Sequence, residues 1–397
     1  MNIKEICKDV FYVGVNDRTT TRFEGLWPLP LGVSYNSYIV KGEKVALIDT
    51  VHVSQCMKFL GNIENLIGNA KIDYLIINHM EPDHSGSIQF IKTKFPEMEI
   101  IGNAKTAAMI KGYYGLTDDV ITVADGETVD LGNGKTLKFV FTPMVHWPET
   151  MMTLVEDNGV LFSGDAFGCF GALNGGIVDC EMDTSAYFPE MYRYYSNIVA
   201  KYGQFVQKAL ARFNDVKINY ICSTHGPVWH DEIAKVIGIY DRLSKYEAEK
   251  GVVIAYASMY GNTEELAEAI ASELSRNGIK NIKMHNLSYS DMSFVLADIC
   301  RYKGLIIGGP TYSNGLFPEV EKLLNAIKVR ELKNRYFGYF GSGTWAPVVT
   351  KHIKATAENL DVEVVGTPFD MKQSATPADI DNCCALAQVM AAKLNEE

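Results

Sequence analysis

The stretch NHMEPDHSG (78–86) places two histidines and two carboxylates within six positions. It begins at the end of IDYLIIN (72–78), a short apolar run that is typical of a buried strand. Functional sites of mixed α/β sheets commonly use polar groups at strand ends. Histidine and carboxylate side chains are also common metal ligands. The stretch therefore predicts a metal site on a loop of an α/β fold.

Three further segments carry residues of the same chemical types. They are MVHWPET (144–150), FSGDAFG (162–168) and STHGPVWH (223–230). Together with the first stretch they supply more nitrogen and oxygen ligands than one metal ion requires, and they contain no cysteine. We expect two adjacent metals, with a bridging carboxylate and positions left open for substrate. The candidate ligands are His79, Glu81, Asp83, His84, His146, Asp165 and His225.

Spacing within the first stretch predicts how its side chains divide. In an extended loop alternate side chains point the same way, so His79, Glu81 and Asp83 share a direction if the loop is extended. His84 follows Asp83 directly and is expected to serve a second centre. Pro82 is expected to hold Glu81 away from helical backbone angles.

Length and patterning predict two domains, at residues 1–250 and 251–397. In the first, YIVKGEKVALIDT (38–50) is typical of a hairpin. In the second, GVVIAYASM (251–259) begins an alternation of strands and helices that indicates a parallel, doubly wound sheet. The polar segment at 240–251 is the expected link. Further elements of the first domain are predicted as strands at 72–78, 99–103, 138–143, 160–165 and 218–225, and as helices at 53–68, 86–94, 104–112 and 187–212.

Composition and charge disfavour several classes of protein. The net charge of −11 argues against nucleic acid as a partner. No apolar run is long enough to span a membrane, and the first residues do not resemble a signal peptide, so a cytoplasmic protein is expected. The eight cysteines contain no C-x-x-C pair, which disfavours a zinc ribbon, a rubredoxin-type iron site and a thioredoxin-type dithiol.

A second candidate site begins at SMYGNT (258–263), between a predicted strand and a predicted helix. Such a loop directs backbone N–H groups and hydroxyls to one point in front of the helix dipole, and so predicts an anion site. The loop matches neither the P-loop nor the G-x-G-x-x-G pattern, which disfavours ATP and dinucleotides. Two more loops, GGPTYSNG (308–315) and GSGTWAP (341–347), follow later strands, where Tyr312 and Trp345 could stack on a planar ring.

The metal-ligand pattern H-x-E-x-D-H, continued by His146, Asp165 and His225, resembles the metallo-β-lactamase superfamily. Most members carry a second histidine where Glu81 stands, and the hard carboxylate oxygen favours iron over zinc. SMYGNT resembles the flavodoxin loop [ST]-x-[ST]-G-N-T, with Tyr260 as its one departure. Together the two patterns resemble flavodiiron proteins over nearly the whole chain. The implied fold is α/β, a metallo-β-lactamase-like αββα sandwich followed by a flavodoxin-like doubly wound parallel sheet.

The resemblance implies an oxidoreductase that uses FMN and two non-haem iron ions. It would reduce O2 to water, NO to N2O, or both, and so protect an anaerobe-type cell from oxygen or nitrosative stress. Asp165 is the implied bridge between the metals, and Tyr195 is a candidate hydrogen-bonding residue with a structural role as its alternative. The implied iron ligands are His79, Glu81 and His146 for one ion and Asp83, His84 and His225 for the other, and His84 swings away in some family members. The implied FMN contacts are Ser258, Met259, Tyr260, Gly261, Asn262, Thr263, Pro310, Thr311, Tyr312, Ser313, Asn314, Gly315, Ser342, Gly343, Thr344, Trp345 and Ala346.

The resemblance also implies partners. Family members form head-to-tail dimers in which each flavin faces the iron site of the other chain, so we expect a homodimer or a tetramer. The last residues are helical in pattern without C-x-x-C, so the expected electron donor is a separate rubredoxin or reduced coenzyme F420.

Three other functions stay open from sequence. The chain could be a zinc-dependent hydrolase with a regulatory flavodoxin domain, an electron carrier, or a sensor that binds NO without turnover. Glu81 weighs against the first alternative, and the intact ligand set weighs against the second. No motif distinguishes O2 from NO as the substrate.

Overall fold

The computed structural model describes residues 3–116 and 120–396. Contacts between residues divide the chain into two compact units. The first consists of Met1–Tyr195 and Gln204–Asp241, and the second of Ser196–Gly203 and Arg242–Glu397. Within the described residues, no helix combines the length and the apolar character that crossing a membrane requires.

The regular elements follow the chain in this order. The strands are β1 (Lys4–Cys7), β2 (Val10–Tyr12), β3 (Val15–Asp17), β4 (Arg22–Phe23), β5 (Trp27–Pro28), β6 (Val33–Tyr35), β7 (Tyr38–Lys41), β8 (Val45–Ile48), β9 (Tyr74–Ile76), β10 (Glu99–Gly102), β11 (Val120–Thr122), β12 (Thr128–Gly132), β13 (Lys135–Phe141), β14 (Met151–Val155), β15 (Val160–Gly164), β16 (Tyr220–Ser223), β17 (Glu249–Tyr256), β18 (Ile282–Asn286), β19 (Tyr302–Pro310), β20 (Lys333–Gly343), β21 (Asp361–Val364) and β22 (Phe369–Lys372). The α-helices are α1 (Cys56–Ile67), α2 (Pro82–Ser85), α3 (Ile88–Lys94), α4 (Ala104–Tyr114), α5 (Tyr187–Tyr194), α6 (Gly203–Ala211), α7 (Ile233–Ser244), α8 (Asn262–Arg276), α9 (Met292–Arg301), α10 (Pro318–Val329), α11 (Val349–Ala357) and α12 (Pro377–Glu396). Shorter turns are of the 3-10 type at Val53–Gln55, Asp179–Glu181 and Ala200–Tyr202, and of the π type at Tyr195–Val199.

Two sheets form the core of the first unit. One has the strand order β1-β2-β7-β8-β9-β10-β11, and the other runs β12-β13-β14-β15-β16. Tyr38 on β7 joins them, because its ring packs 5.1 Å from that of Phe162 on β15 and its hydroxyl donates to the carbonyl oxygen of Ser223 on β16 at 2.6 Å. The predicted hairpin is confirmed by the antiparallel pairing of β7 and β8.

The predicted single helix at 187–212 is wrong. The chain there forms α5, the π turn, a 3-10 turn and α6 in succession. A π turn holds more residues per turn than an α-helix, so it changes the direction of the side chains that follow. The apolar face of α5 therefore does not continue into α6. The helices predicted at 53–68, 86–94 and 104–112 are confirmed as α1, α3 and α4, with ends that differ by a few residues.

The second unit contains a parallel sheet of order β18-β17-β19-β20-β21. The first part of β20 pairs with β21, and its last residues, 340–343, pair with β22. The first four strands therefore follow the doubly wound order of flavodoxin-like folds, as predicted. All nine residues of β19 are buried, as expected for a central strand covered on both faces.

The second unit also includes the short segment at 196–203. The guanidinium group of Arg330 donates to the carbonyl oxygens of Ser196 at 2.8 Å and Asn197 at 3.4 Å. The side-chain amide of Asn197 donates in turn to the carbonyl oxygen of Ser293 at 3.1 Å. Hydrogen bonds thus attach this segment to the loop after α10 and to α9.

Candidate functional site

The strand ends of the first unit bring seven ligand-type side chains together. These residues follow β9, precede β14, or follow β15 and β16, and all seven are buried. They form two groups in which the ligand atoms lie within 4.8 Å of one another. The first group is His79, Glu81, His146 and Asp165, and the second is Asp83, His84 and His225.

In the first group, two imidazoles face the same carboxylate oxygens. Nε2 of His146 lies 3.1 Å from Oε2 of Glu81 and 3.1 Å from Oδ2 of Asp165. Nε2 of His79 lies 3.3 Å and 3.4 Å from the same two oxygens. Four ligand atoms thus surround one point.

In the second group, Oδ2 of Asp83 lies 3.3 Å from Nε2 of His84 and 3.2 Å from Nε2 of His225. Nε2 of His84 also lies 2.9 Å from Oδ1 of Asp165. His84 therefore points into the centre and does not swing away. Asp165 directs Oδ2 to the first group and Oδ1 to the second, which is the arrangement of a bridging carboxylate.

The spacing of these atoms fits metal ions. Ligands bound about 2.1 Å from a metal ion lie roughly 3 to 3.5 Å apart in tetrahedral or octahedral geometry. The side-chain atoms Nδ1 and Nε2 of His84, Nε2 of His225 and both carboxylate oxygens of Asp83 are buried without a hydrogen-bond partner in the described part of the chain. Buried polar atoms normally have partners, so this set has the unmet ligand capacity that a cation would fill.

The pKa values of ionisable groups in this centre are strongly shifted. Burial alone would raise the pKa of Asp165, but the charge of His84 and the hydrogen bond with His146 hold it well below its usual range. Burial would lower the pKa of His146, yet hydrogen bonds with Asp165 and Glu81 raise it to about 9. Opposite charges stabilise each other here, and metal cations can replace the imidazole protons.

Three residues that are not ligands orient the ligand side chains. The spacing of ligand-type residues in the sequence did not identify them. Oε1 of Glu149 lies 2.8 Å from Nδ1 of His79 and accepts the backbone N–H of Met80 at 2.9 Å. Nδ1 of His225 lies 2.7 Å from the carbonyl oxygen of Ser34. The hydroxyl of Thr224 donates to Oδ1 of Asp165 at 2.6 Å. Such contacts fix imidazole orientation and leave Nε2 for a metal.

The predicted common direction of His79, Glu81 and Asp83 is wrong for Asp83. The segment is extended only as far as Glu81, whose φ of −56° and ψ of 138° are not helical. Pro82 then occupies the first position of α2, because its fixed φ suits a helix start. The helical turn carries Asp83 into the second group together with His84.

Tyr194 and Tyr195 occupy different surroundings. The Tyr194 ring lies 5.6 Å from that of His225, and its hydroxyl is buried without a hydrogen-bond partner among the described residues. Burial first, and then the charges of Asp165 and nearby carboxylates, raise its pKa well above the usual value. The Tyr195 ring instead packs edge-to-face on Tyr240 at 5.1 Å. The sequence pointed to Tyr195, whereas the member of this pair beside the ligands is Tyr194.

The second unit contains a cavity of about 520 Å³ at the ends of β17, β19 and β20. This volume is in the range of small-ligand sites. Its lining includes every predicted flavin contact except Gly261 and Gly315, and it adds Gln373, which follows β22. Gln373 lies beyond the three glycine-containing loops, so no motif marked it. Its backbone N–H donates to the carbonyl oxygen of Gly343 at 3.0 Å and so joins the segment after β22 to the third loop.

The first loop of this cavity leads into the N-terminus of α8. Gly261 has a φ of +95°, which an L-residue rarely adopts, and its N–H donates to the hydroxyl of Ser258 at 3.1 Å. The hydroxyls of Thr263 and Ser342 lie 2.8 Å apart at the base. The lining side chains in the described residues carry no formal charge. Helix N–H groups and hydroxyls are therefore the available donors for a phosphate.

Family models match both parts of the chain. One, described as ODP family beta lactamase, matches residues 33–226, and the other, described as flavodoxin, matches residues 254–386. The first range contains all seven ligand-type residues, and the second contains the whole lining of the 520 Å³ cavity.

Relatives match over most of the chain. The anaerobic nitric oxide reductase flavorubredoxin of Shigella dysenteriae is 33% identical over 344 residues, which are 85% of this chain and 71% of that protein. The structure of rubredoxin oxygen:oxidoreductase from Desulfovibrio gigas is similar with a TM-score of 0.94 and 29% identity over 99% of both chains. The flavodiiron protein of Giardia intestinalis gives a TM-score of 0.94 and 27% identity over 100% of this chain and 97% of that one.

Proposed function

The chain belongs to the flavodiiron protein family, and on that premise we propose that it is an oxidoreductase that reduces O2 or NO. Reduction of O2 to two waters consumes four electrons and four protons, and conversion of two NO to N2O and water consumes two of each. When bound, FMN would deliver the electrons and a pair of iron ions would bind and reduce the gas. The residues of the chain hold these groups and shield the reaction from water.

The observation that carries this proposal is the pairing of Glu81 with Asp165 in the first ligand group. Their oxygens lie 3.1 Å from the same imidazole nitrogen of His146. Two hard carboxylate donors beside two imidazoles favour iron over a softer metal. An iron pair and a flavin in one chain suit electron transfer to a gas, whereas hydrolysis requires no flavin.

We assign seven residues as iron ligands. Asp165 would bridge the two ions, because its two oxygens face different groups. Glu149, through His79, and the carbonyl of Ser34, through His225, would keep the imidazoles in the tautomer that binds metal. The assigned ligands are His79, Glu81 and His146 for one iron, Asp83, His84 and His225 for the other, and Asp165 for both.

We assign Tyr194 as a hydrogen-bond donor to the bound gas. Its hydroxyl is buried beside the second ligand group, and it lacks a partner among the described residues. A phenol with a raised pKa keeps its proton at neutral pH and can donate it in a hydrogen bond. Tyr195 remains the candidate from sequence, and its contact with Tyr240 favours a supporting role.

We assign the 520 Å³ cavity to FMN. The N-terminus of α8 would hold its single phosphate, with hydroxyl groups from the same loop. Tyr312 and Trp345 line the cavity and would contact the isoalloxazine ring. The seventeen residues predicted from sequence, together with Gln373, are the proposed contacts.

We further propose a head-to-tail homodimer and a separate electron donor of the rubredoxin or reduced F420 type. Tyr260, Tyr312 and Trp345 are 90%, 48% and 82% exposed at the cavity mouth. Clustered exposed aromatics are typical of contact surfaces, which a partner chain or a donor would cover. A cytoplasmic location and a protective role remain predictions from the sequence. Sedimentation that finds a fully active monomer would contradict the dimer.

The test is side-by-side consumption of O2 and NO by anaerobically reduced protein, with iron and FMN quantified per chain. The proposal expects about two irons and one FMN per chain and stoichiometric formation of water or N2O. Zinc with ester, thioester or lactam hydrolysis would support the hydrolase alternative. Flavin without metal would support an electron carrier, and a spectral change without product would support an NO sensor.

A further inference from the structure

A small, partly open cavity lies in the first unit, beside residues that are chain neighbours of two ligands. Its volume is about 10 Å³. Val145 and Ala166 form one wall, and they are the chain neighbours of His146 and Asp165. The opposite wall comes from α6, including Ala209.

The surface of this cavity is entirely apolar. Phe167, Phe213 and Tyr240 also line it. A bound water is held by two to four polar partners, which this lining does not supply. The volume is near the lower limit for one water-sized molecule. Apolar cavities in proteins take up apolar ligands such as xenon.

We propose that this cavity binds the diatomic substrate, O2 or NO, before it reaches the metal centre. This inference rests on the proposed function, because only a gas-consuming enzyme uses such a site. Both gases are uncharged and weakly polar, so their transfer from water to an apolar lining is favourable, whereas the same transfer of a water molecule is not. Because Val145 and Ala166 adjoin His146 and Asp165 in the chain, gas held between them would supply the ligand groups locally.

The first test is crystallographic and does not depend on activity. Crystals of the iron- and FMN-loaded protein are pressurised with krypton, whose size is close to that of O2. We expect one krypton atom between Ala166 and Ala209. Krypton bound elsewhere in the first unit, with none in this cavity, would overturn the inference.

The second test fills the cavity. Ala209→Leu adds bulk to a buried side chain that lines it, and Ala211→Leu makes the same change at an exposed position of the same helix. For Ala209→Leu we expect loss of the krypton atom and a roughly three- to tenfold higher KM for the gas, with iron and FMN content unchanged. The Ala211 variant should match the parent in all measurements.

Two outcomes separate this inference from the proposed function. If the loaded parent consumes neither O2 nor NO, the proposed function fails. If it consumes gas normally and Ala209→Leu keeps the parent KM while krypton is displaced, only the cavity assignment fails. If Ala209→Leu does not fold, the smaller change Ala209→Val replaces it and the same outcomes apply.

Discussion

Nδ1 of His79 lies 2.8 Å from Oε1 of Glu149, and both side chains are buried. The opposite nitrogen of the imidazole faces Glu81 and Asp165. Because the carboxylate accepts a hydrogen bond from Nδ1–H, the neutral imidazole keeps its lone pair on Nε2 for a metal. Glu149 thereby determines how His79 meets the ion, although it is not itself in either ligand group.

Replacing Glu149 with alanine should weaken metal binding without removing a ligand. Loss of such an orienting carboxylate lowers metal affinity by roughly 10- to 100-fold. Competition with a chelator, followed by metal analysis, measures the change. Glu156→Ala removes an exposed glutamate of the same unit and serves as the control. Equal affinities for the two variants would contradict the orienting role.

Glu81→His should lower the iron content and raise the zinc content. The change replaces a hard anionic oxygen by a neutral nitrogen in the first ligand group, which removes the preference for iron. Metal analysis after growth with both metals available measures the ratio per chain. Glu97→His, at an exposed position, should leave that ratio unchanged. Full iron content with full gas reduction in the Glu81 variant would show that the carboxylate does not select the metal.

Tyr194→Phe should lower kcat for gas reduction by roughly tenfold while metal and flavin contents stay unchanged. The variant loses one hydroxyl beside His225, and a hydrogen bond in such a buried site contributes about 1 to 2 kcal/mol. Tyr195→Phe is the matched control, because the same atom is removed one residue away. A loss confined to Tyr195→Phe would instead restore the assignment made from sequence.

Trp345→Ala should raise the dissociation constant for FMN roughly two- to tenfold. The side chain lines the cavity, and a stacking contact is worth about 0.5 to 1.5 kcal/mol. Quenching of flavin fluorescence on titration of the flavin-free protein measures this constant. Tyr289→Ala removes another aromatic of the same unit, 88% exposed and outside the lining, and should have no effect. Equal changes in both variants would indicate a nonspecific effect.

Asp49 should make the stability of the metal-free protein depend on pH. Its carboxylate accepts the backbone and side-chain N–H groups of Asn78, and burial raises its pKa to about 6 although those bonds and the charge of His84 lower it. The pKa in the unfolded chain is about 3.9. Because the folded-state value is higher, the stabilisation is full below about pH 4 and is lost as the pH rises to about 6.

The comparison that isolates this effect uses Asp49→Asn, which cannot ionise. Between pH 4 and 7 the free energy of unfolding of the parent, relative to the variant, should fall by roughly 2 kcal/mol. Urea denaturation of metal-free protein at several pH values measures the difference. Asp215→Asn changes an exposed aspartate and should give a constant difference. A constant difference for Asp49→Asn as well would contradict the raised pKa.

Local sequence was sufficient for the features that local chemistry determines. Each ligand-type residue follows or precedes a short apolar run, and β9, β15 and β16 are found where those runs predicted strands. The flavin loops were predictable for the same reason, because SMYGNT leads into the first residues of α8. A strand, a polar loop and a helix leave a continuous pattern in the sequence.

Features that depend on distant contacts left no such pattern. Glu149 is recognisable only once β9 places His79 beside it, and Gln373 only once β22 pairs with β20. The direction of the Asp83 side chain depends on where α2 begins. An extended loop was assumed from the sequence, and it did not predict that the helix starts at Pro82. The choice between Tyr194 and Tyr195 depends on the π turn that starts at the second of them.

The segment at 196–203 has a consequence for how this chain can be cut and recombined. Because Arg330 binds carbonyl oxygens of Ser196 and Asn197, a fragment that begins at residue 251 lacks part of its own folding unit. Each unit consists of two separate chain segments, so cutting the chain at one point cannot release either unit whole. Transplanting the flavin module into another enzyme would require grafting this octapeptide as well, although the two family matches follow one another along the chain.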